Sequence, residues 1–126
     1  MMIKITIPLP PITKKNSSQI FRTKDGRPFI TTSKQYKEYV KGCIFIFNEG
    51  KVDKPIDYPV NVKAFYFMPT KRKADLINLH ACLHDVLVHY GILADDNCNI
   101  IVSTDGSRVF VDKENPRTEV YITEAK

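Results

Sequence analysis

The chain has 126 residues, the length of one ordinary domain, and its 43% hydrophobic residues can supply a single core. No apolar run approaches the roughly 20 residues of a membrane span, and the N-terminus lacks a signal-type apolar segment, so a cytoplasmic protein without membrane contact is expected. The three cysteines, Cys43, Cys82 and Cys98, form no CxxC pair, which argues against a disulfide framework or a cysteine-based zinc site. The net charge of +5 suits a polyanionic partner such as nucleic acid.

The first half of the chain predicts a strand, a hairpin and a helix. Residues 2–7 alternate between apolar and polar side chains, and the prolines at positions 8, 10 and 11 end this strand. The pair Asp25-Gly26 is typical of a tight turn between two strands. Ser33 is a candidate N-cap, and apolar residues at helical spacing predict a helix from about Ser33 to Phe47.

The second half predicts a strand, a long helix and three further strands. Val60–Phe67 is apolar on both faces, which indicates a central position in a sheet. A continuous apolar stripe predicts a helix over Asp75–Tyr90, and Gly91 is a natural terminator. Strands are expected near Asn99–Ser103, Arg108–Val111 and Glu119–Thr123, with Asp105-Gly106 as a turn between the first two. The fold class is therefore α+β: one domain over residues 1–126, with a mixed β-sheet and two main helices packed on it.

A basic cluster precedes the long helix. Lys71, Arg72 and Lys73 stand next to a helix N-terminus, where unpaired backbone N–H groups already attract anions. These cations could hold a phosphate backbone. The alternative is an ordinary solvated loop.

Acidic residues flank the same helix on both sides in the sequence. Asp75 begins it, either as an N-cap or as a metal ligand. Asp95 and Asp96 lie in a loop after the helix, where adjacent aspartates are commonly turn formers. If the unit folds Asp96 back beside Asp75, converging carboxylates require a cation, and Mg²⁺ or Mn²⁺ prefers such oxygen ligands.

Other candidate sites are less specific. His80 and His84 have the i, i+4 spacing of a zinc pair, but packed histidines are the simpler interpretation. Lys14, Lys15 and Asn16 form a basic loop bounded by prolines that could contact a DNA backbone, or be only solvated. Arg108 could reach a phosphate, or be a surface arginine.

The segment from residue 70 to 101 resembles the signature of the RusA family of Holliday-junction resolvases. The family pattern is a basic run, then Asp-Leu-x-Asn-Leu opening a helix, then a glycine, then Asp-Asp before a strand. Here these elements are Lys71-Arg72-Lys73, Asp75 to Leu79, Gly91 and Asp95-Asp96. The opening strand, which ends in prolines followed by Asn16, is also similar to the start of the family.

The resemblance implies a homodimer that binds a four-way DNA junction and makes paired, Mg²⁺-dependent incisions, in a family where phage and prophage origins are common. It implies that Asp75 and Asp96 bind the metal, that Asp95 supports them, and that Asn78 lies at the mouth of the site. Many relatives have a second acid where this chain has Ile77, and some have a lysine where it has Ala81. These departures keep open the alternative of a non-catalytic or weakly active DNA-binding protein with the same fold.

Overall fold

The computed structural model describes residues 2–13, 18–22, 24, 28–32, 34–43 and 54–125, with the backbone alone for 18–22 and 28–32. The elements in chain order are β1 (Met2–Ile7), β2 (Ser18–Arg22), β3 (Pro28–Thr32), α1 (Lys34–Gly42), β4 (Val60–Met68), α2 (Leu76–His89), β5 (Ile101–Ser103), β6 (Arg108–Val111) and β7 (Arg117–Glu124).

Five strands form one mixed sheet, as predicted. β7 lies between β1 and β4 and is antiparallel to both, whereas β5 and β6 each pair in parallel with β4. β2 and β3 form a separate antiparallel pair. The predicted turn at Asp105-Gly106 is confirmed, but it does not close a hairpin, because β5 and β6 follow one another along the same edge of β4 and do not pair together.

The core lies between one face of the sheet and the helices. Val60, Val62, Ala64 and Tyr66 alternate along β4 and are at most 1% exposed. The buried stripe of α2 belongs to the same cluster. The Tyr66 hydroxyl and His80 Nδ1 are 2.7 Å apart in the interior, and this hydrogen bond joins β4 to α2.

The ends of α2 follow from local chemistry. Asp75 has extended backbone angles, and its side chain accepts a hydrogen bond from the Ile77 N–H, which makes it the N-cap. Gly91 follows the C-cap Tyr90 with a φ of 75°, a left-handed conformation that glycine adopts without strain. The predicted boundaries of this helix are confirmed.

Other predictions are confirmed in part. The first strand is confirmed, and the helix predicted from about Ser33 to Phe47 is described as Lys34–Gly42. Ser33, the Asp25-Gly26 turn and residues 44–53 lie outside the described residues. Of the helices within the described ranges, none is long and apolar enough to cross a bilayer.

Candidate functional site

The basic cluster forms an exposed loop between β4 and α2. Lys71, Arg72 and Lys73 are all exposed. The Arg72 N–H donates to the Thr70 hydroxyl at 3.3 Å, which fixes the start of the loop. None of the three cations forms an ion pair with another residue that the structure describes. Their charges are therefore available to a polyanion at the N-terminus of α2.

Asp75 retains a free oxygen while it caps the helix. Its Oδ1 accepts from the Ile77 N–H at 3.0 Å. Its Oδ2 takes no hydrogen bond from any residue in the described part of the chain, and the side chain is exposed. The interpretation as an N-cap is confirmed, and it leaves one carboxylate oxygen for a second partner.

A cleft of about 500 Å³ opens beside this carboxylate. One wall contains Met68, Arg72, Asp75 and Asn78, and the other is the proline segment that follows β1, including Pro11. Asn78 is half-buried and lies one helical turn after Asp75, so both side chains border the same space. The cleft thus combines cations, a carboxylate and an amide with prolines and other apolar side chains.

Asp95 and Asp96 differ in how they are engaged. Asp95 Oδ1 accepts from the Asp96 N–H at 2.7 Å, and its Oδ2 accepts from Asn97 Nδ2 at 3.1 Å. Asp95 therefore organises the loop, as turn-forming aspartates do. Asp96 is exposed, and its carboxylate takes no hydrogen bond from a residue in the described ranges.

One copy of the chain does not bring Asp96 beside Asp75, contrary to the expectation from sequence. Asp75 precedes the first turn of α2, whereas Asp96 follows Leu93, which pairs with Ile56 near the start of β4. α2 has 14 residues, so at roughly 1.5 Å per residue it is about 20 Å long. Because β4 and β5 are parallel, the helical crossover must return the chain to the start of β4, which places the two acids at opposite ends of the helix.

No metal-binding group is complete within the residues that the structure describes. No three histidine, cysteine, aspartate or glutamate side chains among them are placed so that they could hold an ion. The assignment of Asp75, Asp95 and Asp96 as metal ligands therefore stays a prediction. A site that includes both Asp75 and Asp96 needs ligands from more than one copy of the chain.

The histidine pair packs against the core, with His80 buried and His84 half-buried. The rings of His80 and His84 stack at 5.5 Å with an angle of 6° between their planes, and His80 Nδ1 is bonded to Tyr66. Burial, with the neighbouring His80, lowers the pKa of His84 to about 4. Both rings are therefore neutral at pH 7, and their contacts are those of structural residues.

A comparison with family models decides the identity of the fold. The model described as endodeoxyribonuclease RusA matches residues 8–123, nearly the whole chain. The chain belongs to the RusA family. No curated protein sequence matches it significantly. The RusA family comprises endonucleases that resolve Holliday junctions and act on branched DNA, so the basic loop and the cleft lie on a DNA-processing fold.

Two positions distinguish this RusA-family chain on the outer side of α2. Ile77, where many relatives have an acid, is 75% exposed, which is unusual for an isoleucine. Ala81, one turn further, is half-buried. Lys14, Lys15 and Asn16 lie outside the described residues, so their role in DNA binding stays a prediction.

The sequence did not indicate the second wall of the cleft. This wall is lined by Pro10, Pro11, Ile12 and Gln35. The sequence predicts only the end of a strand at the prolines. A proline run directly after an edge strand was the available signal, since it directs the chain away from the sheet. Nothing in the local sequence placed this segment opposite Asp75.

Proposed function

We propose that this chain is a Mg²⁺-dependent endodeoxyribonuclease that resolves Holliday junctions by paired, symmetric incisions, with Mn²⁺ as an alternative ion. The observation that supports it most is the cleft at the N-terminus of α2, where cations without an ion pair among the described residues stand beside a carboxylate whose Oδ2 takes no hydrogen bond from those residues. Membership of the RusA family connects this cleft to junction DNA.

In this proposal the basic loop holds the DNA backbone. Lys71, Arg72 and Lys73 contact phosphates, and Arg72 can engage one with two hydrogen bonds because its guanidinium is a planar fork. Asn78 faces the same cleft and offers both a donor and an acceptor to the bound strand. These side chains orient the scissile phosphate next to Asp75.

The acidic residues fit a hard divalent ion. Asp75 offers its Oδ2, and the exposed carboxylate of Asp96 is the second ligand. Asp95 holds the loop of Asp96 through its bond to the Asp96 N–H. When bound, such an ion orients and activates water against the phosphodiester and stabilises the leaving oxygen.

Each site is completed between two copies of the chain. In a two-fold dimer with antiparallel α2 helices, the N-terminus of one helix lies near the C-terminal end of the other, so Asp75 of one copy approaches Asp96 of its partner. The exposed Ile77 on α2 supports an apolar contact there. Two equivalent sites then result, which matches the two symmetric cuts that a four-way junction requires.

The alternative is a DNA-binding protein that retains the fold but cuts weakly or not at all. It is supported by Ile77 and Ala81, which replace the acid and the lysine of many relatives. Under this alternative, the basic loop and the cleft bind branched DNA, and Asp75 serves only as the N-cap.

Incubation of the protein with a labelled synthetic four-way junction and Mg²⁺ distinguishes the nuclease from the non-cutting DNA-binding protein. The proposed enzyme produces symmetric nicks that Asp75→Asn abolishes, while the matched surface variant Asp105→Asn cuts normally. Tight junction binding without nicks, at any Mg²⁺ or Mn²⁺ concentration, contradicts the enzyme and supports the alternative. Preferential cutting of flaps or single strands would show that these, and not the junction, are the substrate.

A further inference from the structure

The face of the sheet opposite the core carries an aromatic and cationic surface. Along β4, the residues between the buried ones are only half-buried. Together with their neighbours on β1, β6 and β7 they form what we call the aromatic face, which consists of Phe65, Phe67, Phe110, Tyr121, Lys4, Lys63, Arg108, Arg117 and Glu119. Neither the family signature nor the proposed metal chemistry uses any of these residues.

The four rings form a continuous row across three strands. The centroid of Phe65 is 5.5 Å from that of Phe110 and 5.6 Å from that of Tyr121, both in edge arrangements. Phe67 stacks on Phe110 at 5.0 Å with 15° between the planes. All four side chains are partly exposed. The row therefore offers a series of ring surfaces at the boundary with solvent.

Cations lie over these rings. Lys63 Nζ is 4.8 Å from the Tyr121 centroid and 5.2 Å from that of Phe65. The Arg108 guanidinium is 5.6 Å above Phe110. Lys4 Nζ is 5.6 Å from the Tyr121 centroid. Attraction between a cation and the π face holds these long side chains over the platform, but their flexible stems allow them to move toward an incoming anion.

The charge of the face favours a polyanion. Arg117 forms ion pairs with Asp112 at 2.9 Å and with Glu119 at 2.8 Å, and these carboxylates neutralise its positive charge. Lys4, Lys63 and Arg108 form no ion pair with any residue in the described ranges. A second copy docked face to face would oppose these same cations, which disfavours self-association through this surface.

The combination of rings with cations that have no ion pair in the described part of the chain points to an unpaired nucleic-acid strand. Single strands present base faces that stack on aromatic side chains and phosphates that contact cations, whereas a duplex hides its base faces in its own stack. The aromatic face is also placed so that a strand can reach it from the basic loop. Phe67, with Arg117 at 3.8 Å, is the neighbour of Met68 at the end of β4, from which the chain continues to the basic loop.

We infer that the aromatic face binds an unpaired DNA strand that extends from the cleft around this edge of the sheet. Phe110 and Tyr121 stack with bases, and Lys63 and Arg108 contact the adjoining phosphates. This role goes beyond the proposed incision chemistry and requires no metal ion. It gives the protein a second DNA surface, suited to strands that are unpaired where the arms of a junction meet.

Fluorescence anisotropy with a labelled oligothymidine of about 20 nucleotides, and with a duplex of equal length, tests the inference in EDTA. The wild-type protein should prefer the single strand. Phe110→Leu removes a ring but keeps an apolar side chain, and should weaken oligothymidine binding about tenfold with little change for the duplex. The double variant Lys63→Gln with Arg108→Gln should weaken oligothymidine binding. It should also reduce the slope of log K against log salt for the single strand by about 1.4. The control, Lys37→Gln with Lys41→Gln on α1, should bind as the wild type.

Normal oligothymidine binding by both sets of variants overturns the inference. So does a change in sedimentation behaviour without a change in DNA binding, because the face is then an interface between copies. Circular dichroism checks the fold of Phe110→Leu, and the charge variants Lys63→Gln and Arg108→Gln decide the matter if that variant does not fold. The binding test is made in EDTA and does not depend on cutting, so failure of the proposed nuclease activity leaves it intact.

Discussion

Asp75 Oδ1 accepts a 3.0 Å hydrogen bond from the Ile77 N–H, so the carboxylate proposed to bind a metal ion is also the residue that begins α2. The two roles can be separated by substitution. Asparagine is as good an N-cap as aspartate, whereas alanine is a poor one. Asp75→Asn should therefore unfold in urea at the wild-type midpoint but lose junction cutting. Asp75→Ala should lose cutting and about 1 kcal/mol of unfolding free energy.

A fall in stability for Asp75→Asn equal to that for Asp75→Ala would show that the carboxylate charge itself stabilises the helix. Full cutting by Asp75→Asn would remove this residue from the proposed metal site. The Asp105→Asn variant, at an exposed turn, is the control for both measurements.

The basic loop should control the salt dependence of junction binding. Each phosphate contact releases condensed counterions, so removing one contact lowers the slope of log K against log salt by about 0.9. Lys71→Gln and Lys73→Gln should each lower it by about that amount, and the double variant by about twice as much. Binding titrations at several salt concentrations measure this, with Lys37→Gln and Lys41→Gln as controls. Unchanged slopes would mean that the loop is merely solvated.

The buried histidine pair should make the fold sensitive to acid. Burial lowers the pKa of His84 from 6.5 to about 4 in the folded protein, with His80 adding to the effect. The unfolded chain then binds more protons between these values, so stability is fully present above about pH 6.5 and is lost as the pH falls toward 4. The loss is up to about 3 kcal/mol.

Urea unfolding of the wild type and His84→Gln between pH 7 and 4 isolates this contribution. The difference in unfolding free energy between them should shrink as the pH falls, because glutamine does not titrate. Parallel curves for wild type and His84→Gln would contradict the assignment of a buried, neutral imidazole.

Local sequence patterns predicted the elements well where they carry their own signals. The α2 helix has an N-cap at Asp75, an apolar stripe and Gly91 in the left-handed region, and its boundaries are confirmed. The alternation of β1 and the apolar character of β4 likewise reflect direct contact with the core. In these cases the information lies within a few neighbouring residues.

Predictions that depended on how elements meet were less successful. Asp105-Gly106 forms the turn that the sequence predicts. Whether its flanking strands pair together, however, depends on β4, which lies far away in the sequence. The separation of Asp75 and Asp96 likewise follows from the parallel pairing of β4 and β5. Phe65 and Phe67 look like core residues in sequence, yet they lie on a half-buried face among cations.

The most direct test of the account is a mixing experiment with Asp75→Asn and Asp96→Asn. Each variant alone should be inactive, because every metal site lacks one carboxylate. In a mixed dimer, the intact Asp75 of one copy meets the intact Asp96 of the other, so one site is restored. In an equimolar mixture that pairs at random, about a quarter of the wild-type number of metal sites should be intact, and these should nick a four-way junction. No recovery on mixing, with dimers present, would contradict a metal site shared between two copies.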